Sequence, residues 1–156
     1  MQIETTRFGT IDVKDESIVR IDEGMLEFEN CKRYVLLEDR PGTAVKWMQS
    51  VDNPAVAFMV INPNEFFPEY EVELTDEQAE ALDLKDPSES AMFTTITLTR
   101  EESRATTNLV GPIIMNLRTL QAKQIVLQDD RYYTKHIIGE RTNSTEMSLE
   151  AEKIAA

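Results

Sequence analysis

Apolar residues in this chain recur mostly at a two-residue period or in unbroken runs, and seldom at helical spacing. Eight segments fit that description: Ile11 and Val13, Ile18 to Ile21, Tyr34 to Leu37, Val56 to Ile61, Met92 to Leu98, Leu109 to Met115, Ile125 to Leu127, and Ile137 to Ile138. Their β-branched enrichment suits a pleated surface, so each is expected to be a strand. Phe8-Gly9-Thr10, Arg40-Pro41-Gly42-Thr43 and Asp52-Asn53-Pro54 are short breakers of the hairpin type. Strands so close in sequence are expected to pair antiparallel. Val56 to Ile61 is apolar on both faces, which suits a strand covered on both sides, where a curled sheet is capped or a partner docks.

One helix is clearly signalled. Thr75 and Gln78 stand at capping-box spacing, and Leu74 and Ala79 at staple spacing. Asp76 and Glu77 oppose the positive end of the helix dipole. Ala79 and Leu82 should face inward, and Asp86-Pro87 should end the element near Leu84. Beyond Gly139 the apolar rhythm stops. The expected organisation is therefore one domain over 1–139 and a flexible or weakly helical tail over 140–156.

Composition narrows the function. An apolar content of 41% fills one core. The first residues lack the positive flank and apolar run of a secretory signal, and no stretch is long or apolar enough to span a bilayer. A cytoplasmic protein with a reduced Cys31 is expected.

The net charge of −13 is unevenly spread: −4 over 1–64 (11 acids, 7 bases), −9 over 65–89 (10 acids, 1 base) and 0 over 90–156 (8 of each). A field of that sign repels phosphate backbones and anionic lipid and draws in a basic partner. Direct nucleic-acid binding and membrane binding are disfavoured. The plainer reading is that the charge only maintains solubility.

Few residues suggest chemistry. A zinc site or a Cys-His pair would require the single His136 to meet the single Cys31, and His136 reads more simply as a half-exposed strand residue. The five glycines form no phosphate-cradling loop, so no cofactor is expected. Glu69, Glu71 and Glu73 would share one strand face, where a solvated acidic surface is a commoner meaning than a glycosidase pair. Phe66, Phe67 and Tyr70 lie among Glu65, Glu69 and Glu71, the wrong sign for stacking RNA bases. Aromatic anchors inside a charged rim match a protein-binding hot spot. The structural alternative has Phe66 or Phe67 plugging an open barrel end.

Six pieces, in order, resemble one family. They are Phe8-Gly9-x-Ile11-x-Val13, Trp47-Met48-Gln49-Ser50-Val51-Asp52-Asn53-Pro54, Ala57-Phe58-x-Val60-x-x-Pro63, Phe67-Pro68-x-Tyr70-x-x-x-Leu74, Thr107-Asn108-Leu109-x-x-Pro112-Ile113-x-x-Asn116 and Lys123-Gln124-x-Val126-Leu127. Together they resemble the pattern of the flagellar assembly factor FliW over residues 1 to 138. The chain departs from it at Asp22 to Glu29, where the family usually has a Pro-containing approach and Gly-Phe-Glu, and at Gly111, commonly Ala.

The resemblance implies a mainly-β, single-domain, antiparallel barrel-like sheet with one or two short helices, and no enzymatic activity. It also implies a partner switch: binding of cytoplasmic flagellin and, once flagellin is exported, binding of the translational regulator CsrA, which relieves repression of flagellin synthesis. Trp47, Gln49, Asp52, Phe67 and Tyr70 are the candidate partner-binding residues, with Glu65, Glu69 and Glu71 for electrostatic steering. Trp47 has a competing fate in the core, and Asn108 and Asn116 one as turn caps. Two rival functions stay open: a carboxylate-dependent hydrolase, and a single-client flagellin chaperone without a regulatory branch.

Overall fold

One strand of ten residues, Ser90–Thr99, determines how the sheet closes. The computed structural model describes residues 1–38, 44–99 and 104–140, with backbone only for 139 and 140. In chain order the strands are β1 (Gln2–Thr5), β2 (Gly9–Asp12), β3 (Ile18–Ile21), β4 (Arg33–Leu37), β5 (Val45–Ser50), β6 (Ala57–Ile61), β7 (Ser90–Thr99), β8 (Arg104–Thr107), β9 (Ile113–Asn116), β10 (Gln121–Gln124) and β11 (His136–Glu140). The helix is α1 (Asp76–Ala81), and 3-10 turns occupy Asp15–Ser17, Pro63–Glu65 and Pro87–Glu89.

Strands β3 to β7 form an antiparallel meander. β10 lies beside β3, β9 pairs with β10, and β9 returns to the first half of β7, closing a ring of seven strands. The second half of β7, from Ile96 to Thr99, pairs instead with β8, and β8 with β11, so this end extends beyond the ring as a flap. The expectation of wholly antiparallel pairing is corrected at one seam. Arg20 and Ile21 pair with Gln121 and Ala122 in parallel. Strict alternation of direction around a closed ring needs an even strand number, so a seven-membered ring must contain a parallel neighbour.

Alternation along each strand divides the core. Met48 of β5 joins Val19, Ile21, Tyr34, Val60 and Met115 inside the ring, while Val45 and Trp47 of the same strand point outward. Three outer patches cover the wall. The β1–β2 hairpin lays Ile3 on Ile18 and Val35. Leu82 packs on Ile114 and Ile125. The flap residues Ala105 and Ile138 cover Val45, Trp47 and Ile61. β6 is therefore covered on both faces, as its continuous apolar run predicts.

Four strands escaped the sequence pattern: β1, β5, β8 and β10. β5 ends in Gln49 and Ser50, both fully buried, so its polar residues mask a core strand. Leu109 to Pro112 is loop and only the end of that expected strand is β9; likewise β10 precedes Ile125 to Leu127. The Asp52-Asn53-Pro54 connection does join β5 to β6. Residues 40–43 and the tail beyond 140 lie outside the described residues.

Candidate protein-binding groove

The acidic stretch begins where β6 ends. Asn62 accepts the Asn64 amide at 3.0 Å and caps a 3-10 turn. Pro63, which has no N–H to continue the ladder, receives the Phe66 and Phe67 amides on its carbonyl. The chain is thereby turned out of the ring and back over its outer face. Phe66 and Phe67 consequently pack against the cluster of Val45, Trp47, Ile61, Ala105 and Ile138, and not in the ring interior, which corrects the expectation of a barrel plug.

Four ties then fix the stretch. Asn64 Nδ2 donates to the Tyr70 carbonyl at 2.7 Å, and the Tyr70 hydroxyl donates to the Leu109 carbonyl at 2.7 Å. Burial pushes the Tyr70 phenol well above its usual range, so it remains a donor. Thr75 and Gln78 cap α1 reciprocally, at 3.1 and 2.9 Å. The helix stops at Ala81 with Leu82 as its C-cap, shorter than the sequence predicts, and Leu82 rather than Ala79 is the buried residue of the pair. Asn116 Nδ2 then holds the carbonyls of Leu82 and Asp83, at 2.8 and 3.2 Å.

Between this strap and the ring lies a groove of about 1190 Å³. Val60, Ala91, Met92, Phe93 and Ile114 supply its apolar lining, and Glu65, Glu71, Glu73 and Asp86 its acids, against Lys46 and Lys85. Asp86 accepts hydrogen bonds from Ser88, which hold its carboxyl below the ordinary value.

Beside the groove is an aromatic shelf. Phe67 meets His136 edge-on at 5.7 Å, Tyr133 stacks on His136 at 3.8 Å, and Tyr132 meets Tyr70 edge-on at 4.8 Å. His136 Nε2 accepts the Tyr133 amide at 3.0 Å, and burial lowers its pKa, so the ring is a neutral acceptor at pH 7.

The candidate residues divide sharply. Glu65, Glu69 and Glu71 are exposed, and Phe67 is half-buried. Trp47, Gln49 and Tyr70 are buried at 5%, 0% and 3% exposure, so in this conformation they present no side chain to a partner. Trp47 is clasped between Phe8, edge-on at 5.8 Å, and the Arg7 guanidinium, 4.2 Å over its ring. Gln49 Nε2 donates to the carbonyls of Ser50, Pro54 and Val56, pinning the β5–β6 loop. Asp52 accepts the amides of Lys32 and Arg33, both at 2.9 Å, and pairs with the Arg33 guanidinium at 2.8 Å.

The family model described as "FliW protein" matches residues 2–138. The chain belongs to the FliW family. It is 42% identical over 136 residues to the "Flagellar assembly factor FliW" of Geobacter sulfurreducens, covering 87% of this chain and 85% of that one. It is 37% identical over 137 residues to its namesake in Natranaerobius thermophilus, covering 87% and 91%. The solved "Crystal structure of the flagellar assembly factor FliW" superposes with a TM-score of 0.81 at 33% identity, covering 88% of this chain and 96% of that one. The mainly-β barrel expected from the resemblance is thus the fold of the family.

Within this FliW fold, the two departures in sequence are joined. Gln124 accepts the Leu26 amide at 2.9 Å and donates to the Gly111 carbonyl at 3.1 Å, so the loop at Gly111 and the turn at Asp22 to Glu29 share one side chain. Sequence reasoning missed Tyr132 and Tyr133 as site neighbours. The signal was an adjacent aromatic pair between Arg131 and Lys135 in a stretch without strand rhythm. Asn108 and Asn116 do cap turns: Asn108 Oδ1 accepts from Val110 and Gly111, and Asn116 Oδ1 from Arg118 and Thr119.

Proposed function

We propose that this chain is a non-enzymatic flagellar assembly factor of the cytoplasm that binds flagellin and, when free of it, binds and antagonises the translational regulator CsrA. The single observation that carries the reading is the family match over residues 2–138. The groove supports it as the contact region, because an apolar trough with four carboxylates and two lysines suits a basic protein segment. Phe67 is the aromatic contact, and Glu65, Glu69 and Glu71 steer the encounter. Trp47, Gln49 and Tyr70 act from beneath, as supports of that surface, and Asp52 fixes the neighbouring loop. A switch of this kind needs only mutually exclusive equilibria, in which the concentration of one partner sets the free fraction available to the other.

The hydrolase reading gains little from Asp86, whose pKa shift runs opposite to that required of a general acid. The test is a calorimetric titration of the chain with CsrA from the same cell, repeated with flagellin present. Tight binding abolished by flagellin is the expected result. CsrA binding unaffected by flagellin would sink the switch, and flagellin binding alone would leave a chaperone of one client.

A further inference from the structure

The main-chain groups of β7 have a fixed parity. The Leu117 amide donates to the Glu89 carbonyl at 2.8 Å and the Asn108 amide to the Thr95 carbonyl at 3.1 Å, so odd-numbered positions face β9 and β8. Even-numbered positions face the opposite edge. There Thr94 meets Ile61, the last residue of β6. The next partner in that rhythm, opposite Met92, would be Pro63, which has no N–H and whose carbonyl is occupied by the amides of Phe66 and Phe67. The Ser90 N–H is turned back to the Pro87 carbonyl. The Met92 N–H and C=O, with the Ser90 C=O, therefore lie along the groove with no strand opposite them among the described residues.

We propose that this gap in the ring receives an extended, basic segment of a partner protein as an added strand, paired through its main chain to Met92. An open edge beside an apolar trough is the geometry of strand addition, with main-chain bonds supplying affinity and alternate side chains supplying specificity. The carboxylates of Glu65, Glu71 and Asp86 select lysine or arginine in the incoming segment, and the half-buried Val72, Leu74 and Met92 accept its apolar residues. A second copy of the chain is a poor occupant, since each copy carries −13. The inference rests on the proposed function only for the identity of the partner.

The test follows the Met92 amide by NMR hydrogen exchange in the unaltered full-length chain, alone and with the synthetic peptide Lys-Val-Thr-Val-Lys at about 1 mM. The expected result is exchange at Met92 slowed about tenfold, with Ala91 and Phe93 protected throughout, and the effect lost when the peptide's threonine is N-methylated. Unchanged exchange at Met92 overturns strand addition. The same measurement with flagellin and with CsrA separates the two claims. A bound partner that leaves Met92 unprotected overturns strand addition while the function stands. Peptide protection of Met92 without binding of either protein supports strand addition and removes the function proposed above.

Discussion

The Tyr70 hydroxyl reaches 39 residues along the chain to donate to the Leu109 carbonyl, at 2.7 Å and buried. This bond moors the acidic strap to the loop between β8 and β9. Tyr70→Phe keeps the ring and leaves that carbonyl without its partner. A loss of about 1–3 kcal/mol is expected by urea denaturation, the range for an orphaned buried acceptor. Partner binding should weaken as well, because the strap loses an anchor. An unchanged denaturation midpoint would show that the bond contributes nothing.

Asn116 offers a sharper contrast. Its amide nitrogen donates to Leu82 and Asp83 carbonyls while its oxygen accepts two amides, all with the residue fully buried. Asn116→Asp preserves shape but sets a carboxylate against two carbonyl oxygens. It should cost more than Asn116→Ala, about 3–5 kcal/mol as for an uncompensated buried charge, and recover partly at low pH where the acid is neutral. Paired thermal melts at pH 7 and pH 4 provide the check.

Asp52 predicts a pH dependence. Burial alone would raise its pKa, but the Lys32 and Arg33 amides and the Arg33 side chain outweigh this and bring it below 3.8. A folded pKa below the unfolded one means stability that is present above pH 3.8 and lost as pH falls through the folded value. Asp52→Asn should therefore be less stable than the parent at pH 7, with the gap closing below pH 3.8. A gap that widened on acidification would contradict the assignment.

Reversing the exposed acids separates rate from stability. Glu65→Lys, Glu69→Lys and Glu71→Lys together should change folding stability by under about 1 kcal/mol, since the side chains are solvated. Association with CsrA should slow markedly at low salt and converge on the parental rate at high salt. Stopped-flow rates that ignore both the substitutions and the salt would refute steering.

Gly111→Ala tests the shared glutamine. The added Cβ would fall 2.9 Å from Gln124 Nε2, the movable end of a side chain, so Gln124 is displaced at a cost of about 1 kcal/mol or less. The Leu26 amide should then exchange faster while the ring amides do not.

How far the sequence was legible follows the range of each interaction. The cap of α1 was readable because Thr75 and Gln78 are three residues apart and the side chain of each bonds the other's amide. The exposure of the candidate side chains was only partly readable: Phe67 and the three glutamates reach the surface, whereas Trp47, Gln49 and Tyr70 are buried. Nothing local separates those fates, since a buried amide such as Gln49 satisfies carbonyls set by the fold. The parallel seam between β3 and β10 joins residues about a hundred positions apart, and no local pattern specifies such a pairing. The gap opposite Met92 needed the register of both flanking strands before Pro63 acquired meaning.

That seam also fixes a schedule for synthesis. A nascent chain that has emerged only as far as β8 possesses the meander but neither β9 nor β10, so the wall opposite β5 is missing and Val19, Ile21 and Met48 remain open to water on one side. The ring is sealed only when residues 113 to 124 leave the ribosome, and the strap, though made earlier, then acquires Asn116 and Leu109 as moorings. Pairing across so long a loop is slow relative to hairpin formation. The strap is thus moored, and the groove behind it completed, only after β9 has been made.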